Sequence, residues 1–499
     1  MENENSGKYL ALLFTSIIFI FPFFLIIFFV SPTFLVLLLS PASSLIYIII
    51  DIKNKKRKGN GLHVPSIKYR GVIGFPFIIF GLVFIPLIVS FYIAFAAGLD
   101  YYIVIMLMGM CSLFVTSSFF VPLSVYDRYF NKKEIASLFS PPVTIIIPAY
   151  NEEKGIARTL DSLVEVDYPN KEVMVIDDGS TDRTFQNALK YNAKFQNNSK
   201  YSVFHKRNGG KASAINYGLR LSLNEIIVVI DADSVIDKNA IKSIVKHFYD
   251  EDVVAVGGYI KILNTPSRNV ITNCTTLEVV TAMNILGRAL NLIGSIMIVP
   301  GALGAFRKKT ILQRGSYDKD TVTEDFDITV KLLKSGGKIK FDLEAITFTE
   351  IPNNIRGLYN QRKRWNSGNF QTFIKHSNVL TNPSYGLLHK FGYPLTLLLF
   401  LYRAIWSILV PAAIGLGILY GRYLPVALSL LMFIILAFLL SAITITLDER
   451  RERLRLISYS PLMVLGYQQI LDFVLIKSVL DVLFRKNIKW SRAKRVERP

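Results

Sequence analysis

Two aspartates one residue apart, Asp231 and Asp233, close an unbroken apolar run, Ile226-Ile227-Val228-Val229-Ile230. In an extended chain residues i and i+2 face the same way, so these carboxylates stand side by side and repel unless a cation neutralises them. A hard divalent cation shared with phosphate oxygens meets that need; a pair of turn or capping residues is the plainer reading of Asp-Ala-Asp alone. Three further signatures and one loop carry polar chemistry. Asp177-Asp178-Gly179 closes the run 173–176 and can accept hydrogen bonds from a base or ribose, or form a turn with Gly179 as its permissive residue. Asn208-Gly209-Gly210-Lys211 precedes a helix expected over 212–219, where backbone amides and a lysine suit a diphosphate; a simple helix entry fits equally. Thr323-Glu324-Asp325 offers a carboxylate able to take a proton from a hydroxyl, or a cap for the helix-like stretch 328–333. Gln361-Arg362-Lys363-Arg364-Trp365 adds a guanidinium that can clamp a diphosphate and an indole face that can stack on a sugar ring. The same five residues also fit a basic helix on a membrane surface, anchored by Trp365.

These signatures need elements to hold them. Val143-Thr144-Ile145-Ile146-Ile147 reads as a buried parallel strand. Asn151 is expected to cap the next helix, with Glu152 and Glu153 in its first turn and Ile156, Leu160 and Leu163 as its apolar stripe. Strands 173–176 and 226–230 follow, and Asp237 is expected to cap a helix carrying Ile241, Ile244, Val245 and Phe248. Strands alternating with helices predict a parallel sheet, in which ligands bind beyond the carboxyl ends of the strands. Both acidic clusters fall at such ends. The expectation is that Asp177, Asp178, Asp231, Asp233 and Asp325 gather around one cation-bound pyrophosphate.

Long apolar segments flank this region. Residues 9–30 are long enough to span a bilayer, which takes about 20 apolar residues, and are read as a retained helix rather than a leader. Further candidates lie at 34–50, 72–97 and 101–123, then at 394–419, 424–447 and 461–484. The last contains Gln468, Gln469, Asp472, Lys477 and Asp481 and reads as an interfacial, re-entrant or bent segment. The 499-residue chain is 51% hydrophobic and carries 57 Lys and Arg against 37 Asp and Glu, net +20. Its densest basic runs, around Lys53–Lys58 and Arg450–Arg455, sit at span edges, the pattern of cytoplasmic loops. That placement argues against nucleic acid as a partner and for anionic lipid and a diphosphate. Two cysteines, Cys111 and Cys274, give no disulfide framework and no cysteine metal site.

Taken together, Pro148-Ala149-Tyr150-Asn151-Glu152, Asp177-Asp178-Gly179, Asp231-Ala232-Asp233, Pro300-Gly301-Ala302, Thr323-Glu324-Asp325 and Gln361-x-x-Arg364-Trp365 make the region 141–375 resemble the processive, membrane-integrated inverting glycosyltransferases of family 2. These include cellulose, chitin, hyaluronan and poly-N-acetylglucosamine synthases. The resemblance implies an α/β glycosyltransferase A-type, Rossmann-like cytoplasmic domain over 131–385, inserted between helical membrane regions at 1–130 and 386–499. It implies that Tyr150, Glu152 and Asp178 contact the nucleotide, with Lys211 and Asp231 in the same site. Asp231 and Asp233 would hold Mg2+ or Mn2+, and Asp325 would be the general base. Gln361 and Arg364 would face the diphosphate, and Trp365 would mark the acceptor. The implied reaction passes a sugar from a UDP-sugar to a β-linked polysaccharide with export; the alternative is one transfer to a lipid-linked acceptor. A third, non-catalytic reading keeps the fold as a sugar-binding or channel component. Only a short basic tail follows the last apolar segment, and no Phe-x-Val-Thr motif lies between the later spans, which departs from bacterial cellulose synthases.

Overall fold

The computed structural model describes residues 105–106, 109, 120–130, 139–195, 200–264, 269–448 and 454–485. The expected spans at 9–30, 34–50 and 72–97, the basic loop Lys53–Lys58, most of 101–123 and Cys111 lie outside the described residues. The chain divides into two compact units. One comprises Lys133–Met283, Gly294–Leu388 and Phe473–Pro499; the other comprises Met1–Lys132, Asn284–Ile293 and His389–Asp472.

The first unit is built on an eight-stranded sheet. Its strands are β1 (Val143–Ala149), β2 (Lys171–Asp177), β3 (Lys200–His205), β4 (Ile226–Ile230), β5 (Val235–Ile236), β6 (Val253–Ile262), β7 (Leu303–Arg307) and β8 (Lys338–Thr349). They run in the order β3-β2-β1-β4-β7-β6-β8-β5. β3, β2, β1 and β4 are parallel, as the alternation of strands and helices predicts. The sheet as a whole is mixed, because β7 pairs antiparallel with both β4 and β6, and β5 antiparallel with β8. Every residue of β1, β2 and β4 is buried, which is why these strands read as continuous apolar runs and not as alternating ones. Ile145, Ile147, Val173, Val175, Val228 and Ile230 form one core with Ile156, Leu160 and Leu163 of α1 (Ile156–Val164) and with Ile241, Ile244 and Phe248. Each such side chain contributes about 1.5–3 kcal/mol on burial.

Five more helices position the polar signatures: α2 (Lys211–Leu221), α3 (Ala240–Val245), α4 (Val270–Thr281), α5 (Glu324–Leu333) and α6 (Ile355–Lys375). Two expected caps are corrected. Asn151 does not cap α1, which starts at Ile156 after Gly155. Asn151 instead adopts φ 55°, a region asparagine tolerates, and its Oδ1 accepts the Thr181 amide at 2.8 Å. Asp237 likewise accepts the Asn239 amide at 3.1 Å in the turn before α3. α5 starts earlier than expected and takes Glu324, Asp325 and Asp327 into its first turn, where the helix dipole favours acidic side chains.

The second unit holds α7 (Tyr393–Leu419) and α8 (Tyr423–Leu447), close to the expected apolar segments. Its core joins Leu123 of the helix Val121–Phe130 to Ile285, Ala289, Phe391, Leu395, Leu440 and Leu447. Among the described residues four helices are long and apolar enough to cross a membrane: Val270–Ile293, Leu388–Leu419, Tyr423–Leu447 and Leu454–Leu483. The first was not expected from the sequence. The last is broken at Leu465 (φ −106°, ψ 87°) and Gly466 (φ 119°, ψ −60°), beyond which α9 (Gln468–Leu483) begins. Cys274 is buried and free.

Candidate active site

Three chain segments meet at the carboxyl end of β4. Asp231 leaves that strand, Lys211 opens α2, and Glu324 and Asp325 open α5. Lys211 Nζ lies 2.6 Å from Asp231 Oδ1 and 3.2 Å from Glu324 Oε1. Between them passes Gly301. A Cβ on that residue would stand 2.8 Å from Lys211 Nζ, 3.7 Å from Asp325 Oδ2 and 4.0 Å from Asp231 Oδ2, so any side chain there would push the ammonium aside. Ile215, Val229, Val299, Pro300, Phe306 and Tyr317 also line the small cavity that Lys211, Glu324 and Asp325 share.

Burial dominates the electrostatics of the site. Burial pushes the Asp325 carboxyl up to about 6, with the Glu324 charge adding to it and Lys211, the Phe326 amide and Arg364 opposing. Burial also raises Asp231, against the pull of Lys211 and with the charge of Asp233 adding to the rise. For Lys211 burial works downward, but Asp231, Glu324 and Asp325 together hold its ammonium above the ordinary range. Tyr317 is raised mainly by burial. Glu324 and Tyr317 had no role assigned from sequence. The adjacency of Glu324 to Asp325 at a helix start was the available signal; Tyr317 carries none.

Tyr150, Glu152 and Asp178 form a second group at the ends of β1 and β2. Tyr150 is 37% exposed, and the Glu152 amide donates to Thr184 Oγ1 at 2.6 Å. Asp177 and Asp178 are each held by partners from β3 and the loop after it. Asp177 is fully buried and its Oδ2 lies 2.5 Å from His205 Nδ1 on β3, the side of β2 away from β4. Asp178 accepts from Lys206 Nζ and from the amides of Gly209 and Gly210. The amides of Gly209 and Gly210 are therefore already engaged.

Gln361, Arg364 and Trp365 sit along α6. Gln361 Oε1 is buried without a hydrogen-bond partner. Arg364 lowers the Asp325 carboxyl through its charge. The Arg362 guanidinium lies 4.6 Å from the Trp365 ring centroid and donates to Glu278 Oε2 at 2.8 Å.

Another acidic group lies apart from these. Oxygens of Asp318, Asp320 and Asp327 fall within 4.8 Å of one another. Lys375 Nζ sits 2.6, 2.7 and 2.8 Å from the three in turn. Lys331 Nζ is 2.7 Å from Asp318, and His376 Nε2 is 2.9 Å from Asp327. Protein cations already fill the space a metal ion would take.

A mixed α/β sheet with acidic residues and a lysine converging at one strand's carboxyl end is a glycosyltransferase A-type fold. It overlays a mannosyltransferase from Pyrobaculum calidifontis, solved with GDP-Man and Mn2+, at a TM-score of 0.56 and 22% identity, over 77% of this chain and all of that one. Residues 144–311 match the family described as glycosyl transferase family 2. It is 29% identical over 276 residues to poly-beta-1,6-N-acetyl-D-glucosamine synthase of Staphylococcus aureus strain COL, over 55% of this chain and 64% of that one. To the Staphylococcus epidermidis synthase it is 30% identical over 234 residues, or 47% and 56% of the two chains. The chain thus spans less than two thirds of the length of these relatives.

Proposed function

We propose that this protein is a membrane-integrated, inverting glycosyltransferase that moves a sugar from a UDP-sugar onto a growing β-linked polysaccharide, coupled to export. The observation that carries this reading is the convergence of Lys211, Asp231 and Asp325 around the bare Cα of Gly301. The staphylococcal relatives are named as synthases of an N-acetylglucosamine polymer, which puts UDP-N-acetylglucosamine first among donors.

Asp325 acts as general base. As the acceptor oxygen bonds to the anomeric carbon, its proton passes to Asp325, and the bond to the UDP oxygen breaks on the opposite face of the sugar. An α-linked donor thus becomes a β-linkage. A base held near 6 is neither too weak to accept that proton nor protonated at neutral pH. Lys211 and Arg364 draw the diphosphate. Asp231 and Asp233 fit Mg2+ or Mn2+, since they offer only hard oxygens where burial and the neighbouring Asp233 charge raise the Asp231 carboxyl. When bound, such a cation neutralises charge on the departing diphosphate. Tyr150 and Glu152 face the nucleoside, Gln361 donates its amide N–H2 to the diphosphate, and Trp365 takes the acceptor sugar. The catalytic domain, 131–385, lies on the cytoplasmic side, because the basic runs Lys53–Lys58 and Arg450–Arg455 sit at span edges as cytoplasmic loops do.

The test is a donor screen on purified protein with radiolabelled UDP-N-acetylglucosamine, UDP-glucose and UDP-glucuronate, followed by sizing of the product. Long chains from one donor are expected. Product that stops at one sugar and extracts into organic solvent would replace the polymer reading by transfer to a lipid-linked acceptor, and no turnover of any donor would end both.

A further inference from the structure

Two residues of the stretch 361–365 have no part in the proposed chemistry, and each is tied to a carboxylate of another helix. Lys363 Nζ lies 2.8 Å from Asp481 Oδ2 on α9. Arg362 Nη2 donates to Glu278 Oε2 on α4 at 2.8 Å. Glu278 is the only charged residue between Val270 and Gly287, in a helix long and apolar enough to cross a membrane. A carboxylate in such a helix is costly without a partner. Arg362 is 8% exposed, and its Nε is buried without a hydrogen-bond partner. Its guanidinium also lies over the Trp365 ring, 4.6 Å from the centroid, as residues three apart on a helix share a face. The buried cation thus has a carboxylate at one edge and an indole against its flat face.

We propose that Glu278 and Arg362 are positioning residues for the acceptor: Glu278 holds the guanidinium, the guanidinium covers one face of the Trp365 indole, and the acceptor sugar stacks on the opposite face. This rests on reading Trp365 as the residue that takes the acceptor sugar. An indole alone on a helix can turn about its side-chain bonds; a cation fixed over its face favours one orientation. Arginine suits this task and lysine does not, because a planar guanidinium lies flat on a ring while its edge donates to a carboxylate. The pair therefore sets where the acceptor's terminal sugar lies, and leaves the donor's diphosphate to Lys211 and Arg364.

The experiment measures transfer from saturating radiolabelled UDP-N-acetylglucosamine to soluble β-1,6-linked N-acetylglucosamine oligomers, the linkage in the relatives' names, by the full chain in detergent. UDP affinity is measured separately by equilibrium competition. Arg362→Lys is expected to raise the acceptor KM by about 10-fold, the scale of a buried cation–π contact, with UDP affinity within about twofold of wild type. Glu278→Gln keeps an oxygen for the Arg362 N–H and removes the charge. It should raise the acceptor KM by about threefold, and it keeps the test valid if Arg362→Lys does not fold. A role in packing α4 on α6 alone would lower the active fraction, and so kcat, at unchanged acceptor KM. That result would overturn the proposal, as would a loss of UDP affinity equal to the rise in acceptor KM. A wild-type chain that binds UDP and transfers nothing to the oligomers would overturn the acceptor reading itself, a result distinct from those two.

Discussion

Two acidic clusters of the sheet-bearing unit make opposite use of the same side chain. Asp318, Asp320 and Asp327 meet Lys331, Lys375 and His376. Burial works against ionisation of Asp318 and Asp327, but hydrogen bonds from Lys331, Lys375 and His376 outweigh it and hold both carboxyls below their ordinary value. At the carboxyl end of β4, burial wins. Asp231 and Asp325 are raised although Lys211 stands among them. A cluster that satisfies itself braces a fold; one left short of cations has affinity to spare for a positive ligand. By this measure spacing alone misleads, since the three tightly grouped carboxylates are the poorer candidates for a metal.

The comparison breaks most visibly at Asp325. Asp325→Asn should lower sugar transfer by about 10²- to 10⁴-fold, the contribution of a general base, with donor binding near wild type. Retained turnover would remove Asp325 from the chemistry. Next comes Lys211→Met, which strips Asp231 and Glu324 of their ion-pair partner. Donor affinity should fall by about 10- to 100-fold, read in an equilibrium competition assay. Lys375→Met tests the self-satisfied cluster: unfolding should shift by about 1–3 kcal/mol because Asp327 keeps Lys331 and His376 beside it, while turnover per folded molecule stays unchanged. A loss of turnover equal to that of Lys211→Met would erase the distinction between the clusters.

The smallest effect is in pH. Transfer should rise with pH through a midpoint near 6 as Asp325 loses its proton. The stability terms of the two clusters carry opposite signs. The raised Asp325 binds its proton more tightly folded than unfolded, so its stabilisation is present below the ordinary carboxylate range and lost as pH climbs through about 6. The lowered Asp318 and Asp327 stabilise above the ordinary carboxylate range and lose that contribution as pH falls. At pH 7.5 Asp325→Asn should therefore raise the melting temperature and Asp327→Asn lower it; shifts of the same sign would contradict this account.

The fully buried strands were legible in the sequence because burial on both faces leaves an unbroken apolar signature, and the acidic pair Asp231 and Asp233 stood out at the end of one. α1 was legible from its stripe, but its start was not, since Asn151 makes an equally good side-chain turn with Thr181. The antiparallel strand β7 was hidden for a different reason. Leu303-Gly304-Ala305-Phe306-Arg307 is short and rich in small residues, and its direction depends on strands distant in sequence. The closeness of Gly301 to Lys211 is likewise a property of the assembled sheet. Asp178 marks the limit of reading by motif: its position at a strand end predicts an open carboxylate, and only the path of residues 206–210 shows the donors that already bond to it.

The break at Gly466 changes what the last apolar stretch can be mechanically. Gln469 repairs it in part, accepting the Gly466 amide at 2.6 Å and donating to the Val464 carbonyl at 2.8 Å. Beyond the bend α9 has 16 residues, a rise of about 24 Å, less than the hydrocarbon thickness of about 30 Å. The stretch is a jointed arm and not a single rod, and a sideways push on one half can be absorbed at the joint before it reaches the other.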